Sequence, residues 1–146
     1  MDMSGEQGVD IVHDADVIPW PFKNNSFDLV LFNQSLEHLD NIGGALEEAR
    51  RVLKPCGRAV IQVPYFRSVD AFAPTHRHFF TSASLETIPH LKFKILGFWY
   101  GWPHLSKNPL CQIFKNFIHG HPDFYDKYLS SFIPVECLTW ELEKRN

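Results

Sequence analysis

Phe27-Asp28-Leu29-Val30-Leu31-Phe32, then Ile42 to Leu53, then Ala59-Val60-Ile61-Gln62-Val63 decide how this chain folds. The first stretch is short and almost continuously apolar, as a strand covered on both faces should be. In the second, Ile42, Ala45, Leu46, Ala49, Val52 and Leu53 recur at helical spacing. Glu47, Glu48, Arg50, Arg51 and Lys54 take the opposite face, so the pattern predicts an amphipathic helix. Asp40 or Asn41 can cap its start, and Pro55 with Gly57 can stop it. The third stretch is a second buried strand. Strand, helix and strand in this order make a βαβ unit, with parallel strands and a right-handed crossover. The fold class is α/β.

Working outward, Val9 to Val12 reads as a short strand ending at His13-Asp14-Ala15-Asp16. Pro19-Trp20-Pro21-Phe22 cannot be helical, because each proline fixes φ and pushes the preceding residue to extended geometry. Lys23-Asn24-Asn25-Ser26 has turn chemistry. After Val63 the chain is loop-like through Pro74. A short helix is expected over Ser82 to Ile88, capped by Thr81 or Ser82, and a strand over Phe93 to Tyr100. Two helices follow at Asn108 to Ile118 and Pro122 to Leu129, with Pro122 in the first turn. Val135 to Leu142 alternates imperfectly and suits a final strand. With no repeat or linker, residues 1–146 read as one domain. Residues 1–63 form a cofactor-side βαβ core, and 64–146 a substrate-side C-terminal part.

Composition narrows the function. The chain has 146 residues, 45% of them hydrophobic and 21% charged, with a net charge of -3. That is the profile of a globular protein, and the size is enough for a real core. Its lysines and arginines are scattered, whereas tracking phosphates needs a concentrated basic face, so no nucleic-acid partner is expected. No apolar run approaches the ~20 residues that span a bilayer, and no signal-peptide core is present. Cys56, Cys111 and Cys137 are far apart and odd in number, as suits reduced thiols in the cytoplasm.

Ligands of open α/β sheets bind beyond the carboxyl ends of the parallel strands. That rule selects Asn33 to His38, Pro64 to Arg67, and His13 to Asp16. Glu37 and His38 can form a general-base pair or simply cap the crossover region. His76 and His78 can face one way on a strand, but no third ligand is spaced for them, so no metal site is expected. His119 and His121 are isolated in the same way. Trp99-Tyr100-Gly101-Trp102 suits core and rim packing more than stacking on a substrate.

Several segments, in order, resemble class I S-adenosylmethionine-dependent methyltransferases. They are Val9 to Asp14, Pro19 to Phe22, Asn25 to Val30, Ser35-Leu36-Glu37-His38-Leu39, and Glu48 to Gly57. Val63-Pro64-Tyr65-Phe66 followed by Pro74-Thr75-His76-Arg77-His78-Phe79-Phe80-Thr81 is similar to one subgroup of them. The resemblance implies a Rossmann-like sheet and S-adenosyl-L-methionine as cofactor. It places Asp14 and Ala15 at the adenine, Asp2 at the ribose hydroxyls, and Asn33, Gln34 and Ser35 at the methionine moiety. Glu37 and His38 fall at the substrate side as candidate catalytic residues, with Tyr65, Arg67 and His76 around the acceptor. A small-molecule acceptor is implied, and its identity and the oligomeric state are open.

Three departures stand out. The family's first strand and glycine-rich loop have no counterpart in the sequence. Cys56 replaces the first glycine of a Leu-Lys-Pro-Gly-Gly turn, which predicts mild strain there. Ala73 stands where the subgroup has Asp. Without the first strand, Leu29 to Phe32 should expose an apolar edge. The favoured expectation is an incomplete form of an enzyme. The alternative is a catalytically inactive, methyltransferase-like partner subunit associating through that edge.

Overall fold

The fold was obtained as a computed structural model, which describes residues 1–5, 7–88, 92–101 and 109–145. Trp102 and Asn108, both singled out from the sequence, lie outside the described residues. The βαβ unit is present: β1 (Phe27–Asn33), α1 (Ile42–Val52) and β2 (Leu53–Pro64), with β1 and β2 parallel. β3 (Phe93–Tyr100), α2 (Pro109–Gly120), α3 (Pro122–Phe124) and β4 (Cys137–Lys144) complete the chain. The sheet order is β1-β2-β4-β3, and β4 runs antiparallel to both neighbours.

α1 forms because its apolar positions share one face, burying Ala45, Leu46, Ala49 and Val52. Asn41, rather than Asp40, caps it: Asn41 Oδ1 accepts from the Gly44 amide at 2.9 Å. A Cβ on Gly44 would meet that same side chain, which would have to shift to make room. Asp16 reinforces the helix start from outside, its two oxygens accepting from the Asp40 and Asn41 amides at 2.9 Å each. Pro55 and Gly57 do not follow a turn after the helix. β2 begins at Leu53 and carries a bulge, because Phe27 pairs with Leu53 while Leu29 pairs with Arg58. Cys56 sits in the bulge at φ 60, the left-handed conformation that a glycine would take more easily.

The opposite face of α1 is not simply solvated. Glu48 is buried and accepts from the Trp20 amide at 2.6 Å and from Arg51 at 2.8 Å. Arg51 also donates to the carbonyls of Trp20 and Phe22. The pair fastens the Pro19–Phe22 segment to the helix, letting Trp20 enter the core. Sequence periodicity cannot show this, since the segment packs on α1 from outside the unit.

β1 is an edge strand. Phe32 is buried, but Leu29 and Leu31 are each 54% exposed, so only part of the strand is covered as its apolar run suggested. Val9 to Val12 forms no strand. One parallel bridge joins Val12 to Asp2, with Asp2 N–H on the Ile11 carbonyl and His13 N–H on the Asp2 carbonyl. The helix expected at Ser82 to Ile88 is a single tighter turn, Ser84–Thr87, with no capping side chain. Ser84 Oγ instead accepts from the Thr81 amide.

The C-terminal part is built round aromatic side chains. Tyr65, Tyr100, Tyr125 and Trp140 are all nearly or fully buried. Tyr100 packs edge-on against Tyr65, Tyr125 and Phe98. Each such side chain contributes roughly 1.5–3 kcal/mol or more by burial. After Pro122 the chain makes one helical turn and then a wider one over Tyr125–Leu129. That wider turn points Asp126 at the tyrosines. Asp126 accepts from the hydroxyls of Tyr65 (2.8 Å), Tyr100 (2.7 Å) and Ser82 (2.7 Å), and from the Ser82 amide (3.1 Å).

Candidate active site

A cavity of about 770 Å³ opens at the carboxyl end of β1 and along its uncovered face. The bridge between Asp2 and Val12 brings Asp2 beside the His13–Ala15 segment, and both reach the cavity. Asn33, Gln34 and Ser35 border it where the chain leaves β1. Gln34 has φ 50, and its amide donates to the Gln62 carbonyl at 2.9 Å. This left-handed residue turns the chain sharply off the strand, and such conformations often mark ligand sites. All six residues assigned to the cofactor from the sequence thus border one cavity. Its volume is in the range of small-molecule sites, and its lining mixes apolar side chains with a few polar groups.

The two carboxylates are each half-committed to local turns. Asp14 Oδ1 accepts from the Asp16 amide at 2.9 Å. Asp2 Oδ1 accepts from the amide and hydroxyl of Ser4, which hold its pKa below the usual carboxylate value. One oxygen of each is left to face a ligand, and an oxygen acceptor suits the hydroxyls or exocyclic amine of a nucleoside. The residues present therefore fit a nucleoside-bearing cofactor.

Next to His38, which borders the cavity, lies a second polar group. Glu37, on the single turn Leu36–His38, is fully buried, and neither of its carboxylate oxygens has a hydrogen-bond partner. Burial raises its pKa, while its own amide and the fields of His38 and His76 pull the other way. Ligand atoms of Glu37, His38 and His76 all lie within 4.8 Å of one another. The two imidazoles meet edge to face at 4.7 Å between centroids. His38 Nδ1 faces the Thr75 carbonyl at 3.2 Å, and His76 Nδ1 faces the Ala71 carbonyl at 3.3 Å. A carbonyl only accepts, so each Nδ1 donates its proton there, and in the neutral ring Nε2 is left with the lone pair.

Backbone bonds lock these two segments together. The amides of Arg77 and His78 donate to the Glu37 carbonyl at 2.8 and 3.3 Å. The His78 ring bonds the Leu39 carbonyl at 2.8 Å, and Arg77 pairs with Asp40. His78 is therefore a strut and not the partner of His76. Spacing along the chain could not reveal the trio, because its third member comes from a different segment.

The other residues assigned to the acceptor side are placed differently. Tyr65 is buried with its hydroxyl on Asp126, and burial together with that carboxylate raises its pKa well above the usual tyrosine value. Arg67 lies over the Phe66 ring, 4.9 Å from its centroid. Neither borders the cavity; His38, Thr75 and Arg77 do.

An α/β sheet with a cavity past the end of its parallel strand β1 defines a Rossmann-like domain. Comparison with known proteins narrows the class: residues 3–61 match the family model described as a methyltransferase domain. A 2-phytyl-1,4-naphtoquinone methyltransferase of Trichormus variabilis is 34% identical over 68 residues, covering 47% of this chain and 27% of that protein. A SAM-dependent methyltransferase of Archaeoglobus fulgidus superposes with a TM-score of 0.62 at 17% identity, over 92% of this chain and 66% of that one. The [4+2]-cyclase SpnF superposes with a TM-score of 0.58 at 20% identity, over 92% of this chain and 54% of that one. Residues 3–61 thus resemble a methyltransferase domain, and the chain has the Rossmann-like class I fold. It spans about a quarter of the length of the curated relatives it matches. Among the described residues no helix is long and apolar enough to cross a membrane.

Proposed function

We propose that this domain binds S-adenosyl-L-methionine and serves methyl transfer to a small-molecule acceptor in the cytoplasm. The observation that carries the reading is the convergence of Asp2, Asp14, Ala15 and Asn33 to Ser35 on one cavity. When bound, the cofactor supplies a methyl group on a sulfonium, already a good leaving group. What remains for the chain is to orient two reactants and exclude water. Asp2 and Asp14 would hold the nucleoside through their uncommitted oxygens, and Asn33 to Ser35 would border the amino-acid end. His38, with its lone pair at Nε2, reaches the cavity and would take the acceptor's proton, with Glu37 behind it. The cavity's size and the scatter of lysines and arginines along the sequence favour a small acceptor over a nucleic acid. The fold alone does not decide the chemistry, since a cyclase shares it.

Titrating S-adenosylhomocysteine calorimetrically into the chain tests the reading. Micromolar binding that weakens about tenfold or more in Asp14→Ala is expected, matching the loss of about 1.4 kcal/mol. No heat from a folded sample would sink it. The second reading, a non-catalytic subunit, is favoured by one feature, the half-exposed Leu29 and Leu31 on edge strand β1. A concentration-dependent dimer broken by Leu31→Lys, with no binding of the homocysteine, would favour that reading.

A further inference from the structure

We propose that Glu37, His38 and His76 form a binding site for one divalent transition-metal ion of the zinc class, beside the cavity that His38 borders. Two imidazoles and one carboxylate are a donor set that zinc takes in sites with an open position. Magnesium and calcium, which prefer oxygen ligands, are disfavoured by it.

Three observations carry the inference independently. The first is convergence: one ligand atom from each side chain falls within 4.8 Å of the other two. Ligation at 2.0–2.2 Å sets tetrahedral donors roughly 3.4 Å apart, so the trio must close by up to about 1.4 Å. Rotation of two partly exposed rings can supply that. The second is Glu37, whose side chain is fully buried with both oxygens unpartnered. A carboxylate so placed normally has an ion or a donor against it, and here the groups gathered beside it are two imidazoles that make no hydrogen bond to it. The third is the outer shell. Each histidine presents Nδ1 to a main-chain carbonyl, at Thr75 and Ala71, which fixes its orientation and leaves Nε2 for the ion. The Arg77 and His78 amides on the Glu37 carbonyl hold both segments in register.

His38 also borders the cavity, so an ion held there has its open position toward the ligand space. Such an ion would bind an acceptor oxygen and lower its pKa, in place of proton uptake by His38 itself. That consequence rests on the methyl-transfer reading; occupancy of the site does not.

The test is calorimetric titration of Zn²⁺ into the full chain after treatment with a chelator. One ion per chain is expected, weakened more than about tenfold in Glu37→Gln, His38→Ala and His76→Ala, and unchanged in His119→Ala. Co²⁺ offers a readout independent of activity: bound to the native chain it should show visible ligand-field absorption, altered by His76→Ala. Thermal melts of metal-free variants separate lost ligation from lost folding, and His76, being partly exposed, is the variant expected to fold. Absence of both heat and absorption overturns the site. So does binding that survives all three substitutions, or that disappears with His119 or the exposed Cys56 and Cys111. S-adenosylhomocysteine titrated into the same sample distinguishes the two readings. If it binds where zinc does not, only the metal site fails; the reverse result retains the metal site and removes the cofactor reading.

Discussion

Two polar regions of this molecule, around the half-buried Asp126 and around the buried Glu37, use the same side-chain chemistry to opposite effect. Asp126 accepts four hydrogen bonds from three residues brought from distant parts of the chain. Glu37 sits fully buried and accepts none. A satisfied network fixes how core elements pack; an unsatisfied carboxylate costs stability and persists where something else gives it a purpose. The contrast marks Asp126 as a residue that builds the fold and Glu37 as one whose burial the fold itself does not repay. β3, β4 and the C-terminal helices converge on tyrosines around the first, while the second lies next to His38 at the border of the cavity.

The largest effect expected from breaking the contrast is at Asp126. Asp126→Ala leaves the Tyr65 and Tyr100 hydroxyls and the Ser82 groups without their acceptor inside an aromatic cluster. A loss of about 3 kcal/mol is expected from a urea midpoint, and Asp126→Asn should cost about half as much because Oδ1 survives as an acceptor. Glu48 is an intermediate case, buried but paired with Arg51 and the Trp20 amide. Glu48→Ala should cost about 2 kcal/mol, below the range for fully buried pairs because Arg51 remains partly hydrated. Limited proteolysis should show the Pro19–Phe22 segment released first.

How far the sequence spoke for these regions follows from where each element's contacts lie. β1, α1 and β2 are adjacent in sequence and pack on one another, so their periodicity alone located them. β3 emerged with its bounds, while β4 was displaced by two residues at each end. Residues 137 to 140 of β4 are all buried, so this half of the strand has no solvent-facing positions to imprint an alternation. Val9 to Val12 failed as a strand because one bridge to Asp2 is all that the described residues offer it. The rule that ligands lie past strand ends picked out Asn33 to Ser35 and His13 to Ala15, which border the cavity, but also Pro64 to Arg67, which do not; Asp2 came only from the resemblance. The trio, the Asp126 network and the Glu48 clamp were not legible, since each joins residues from separate segments and none leaves a local pattern.

A smaller, pH-dependent difference should separate the regions further. His119 accepts from the Tyr100 amide at 2.9 Å, and burial lowers its pKa below 6.5. A histidine with a depressed folded pKa contributes stability above its unfolded value and loses it as pH falls through the folded one. The aromatic region should therefore weaken below about pH 6.5, by no more than about 1.4 kcal/mol per pH unit for one proton. At the other extreme, burial pushes the Tyr125 hydroxyl up to about 12. An acid with a raised folded pKa contributes stability below its unfolded value, so stability should fall again between about pH 10 and 12. Urea midpoints across pH check both arms, and His119→Asn should flatten only the acid one.

The smallest expected change in stability is at Glu37, and it sharpens the comparison most. Glu37→Gln keeps the shape of the side chain and removes an ionisable group that has no partner. Its amide can donate to the free Nε2 of His38 or His76, which gives the buried position a hydrogen bond it now lacks. The urea midpoint should therefore stay within about 1 kcal/mol of the native chain, or rise. The same conservative exchange at Asp126 should be destabilising, because there a full acceptor is reduced and nothing is relieved. A loss at Glu37 as large as at Asp126 would make both carboxylates parts of the scaffold. A near-zero change would leave Glu37 as a residue the fold tolerates for the sake of what binds beside it.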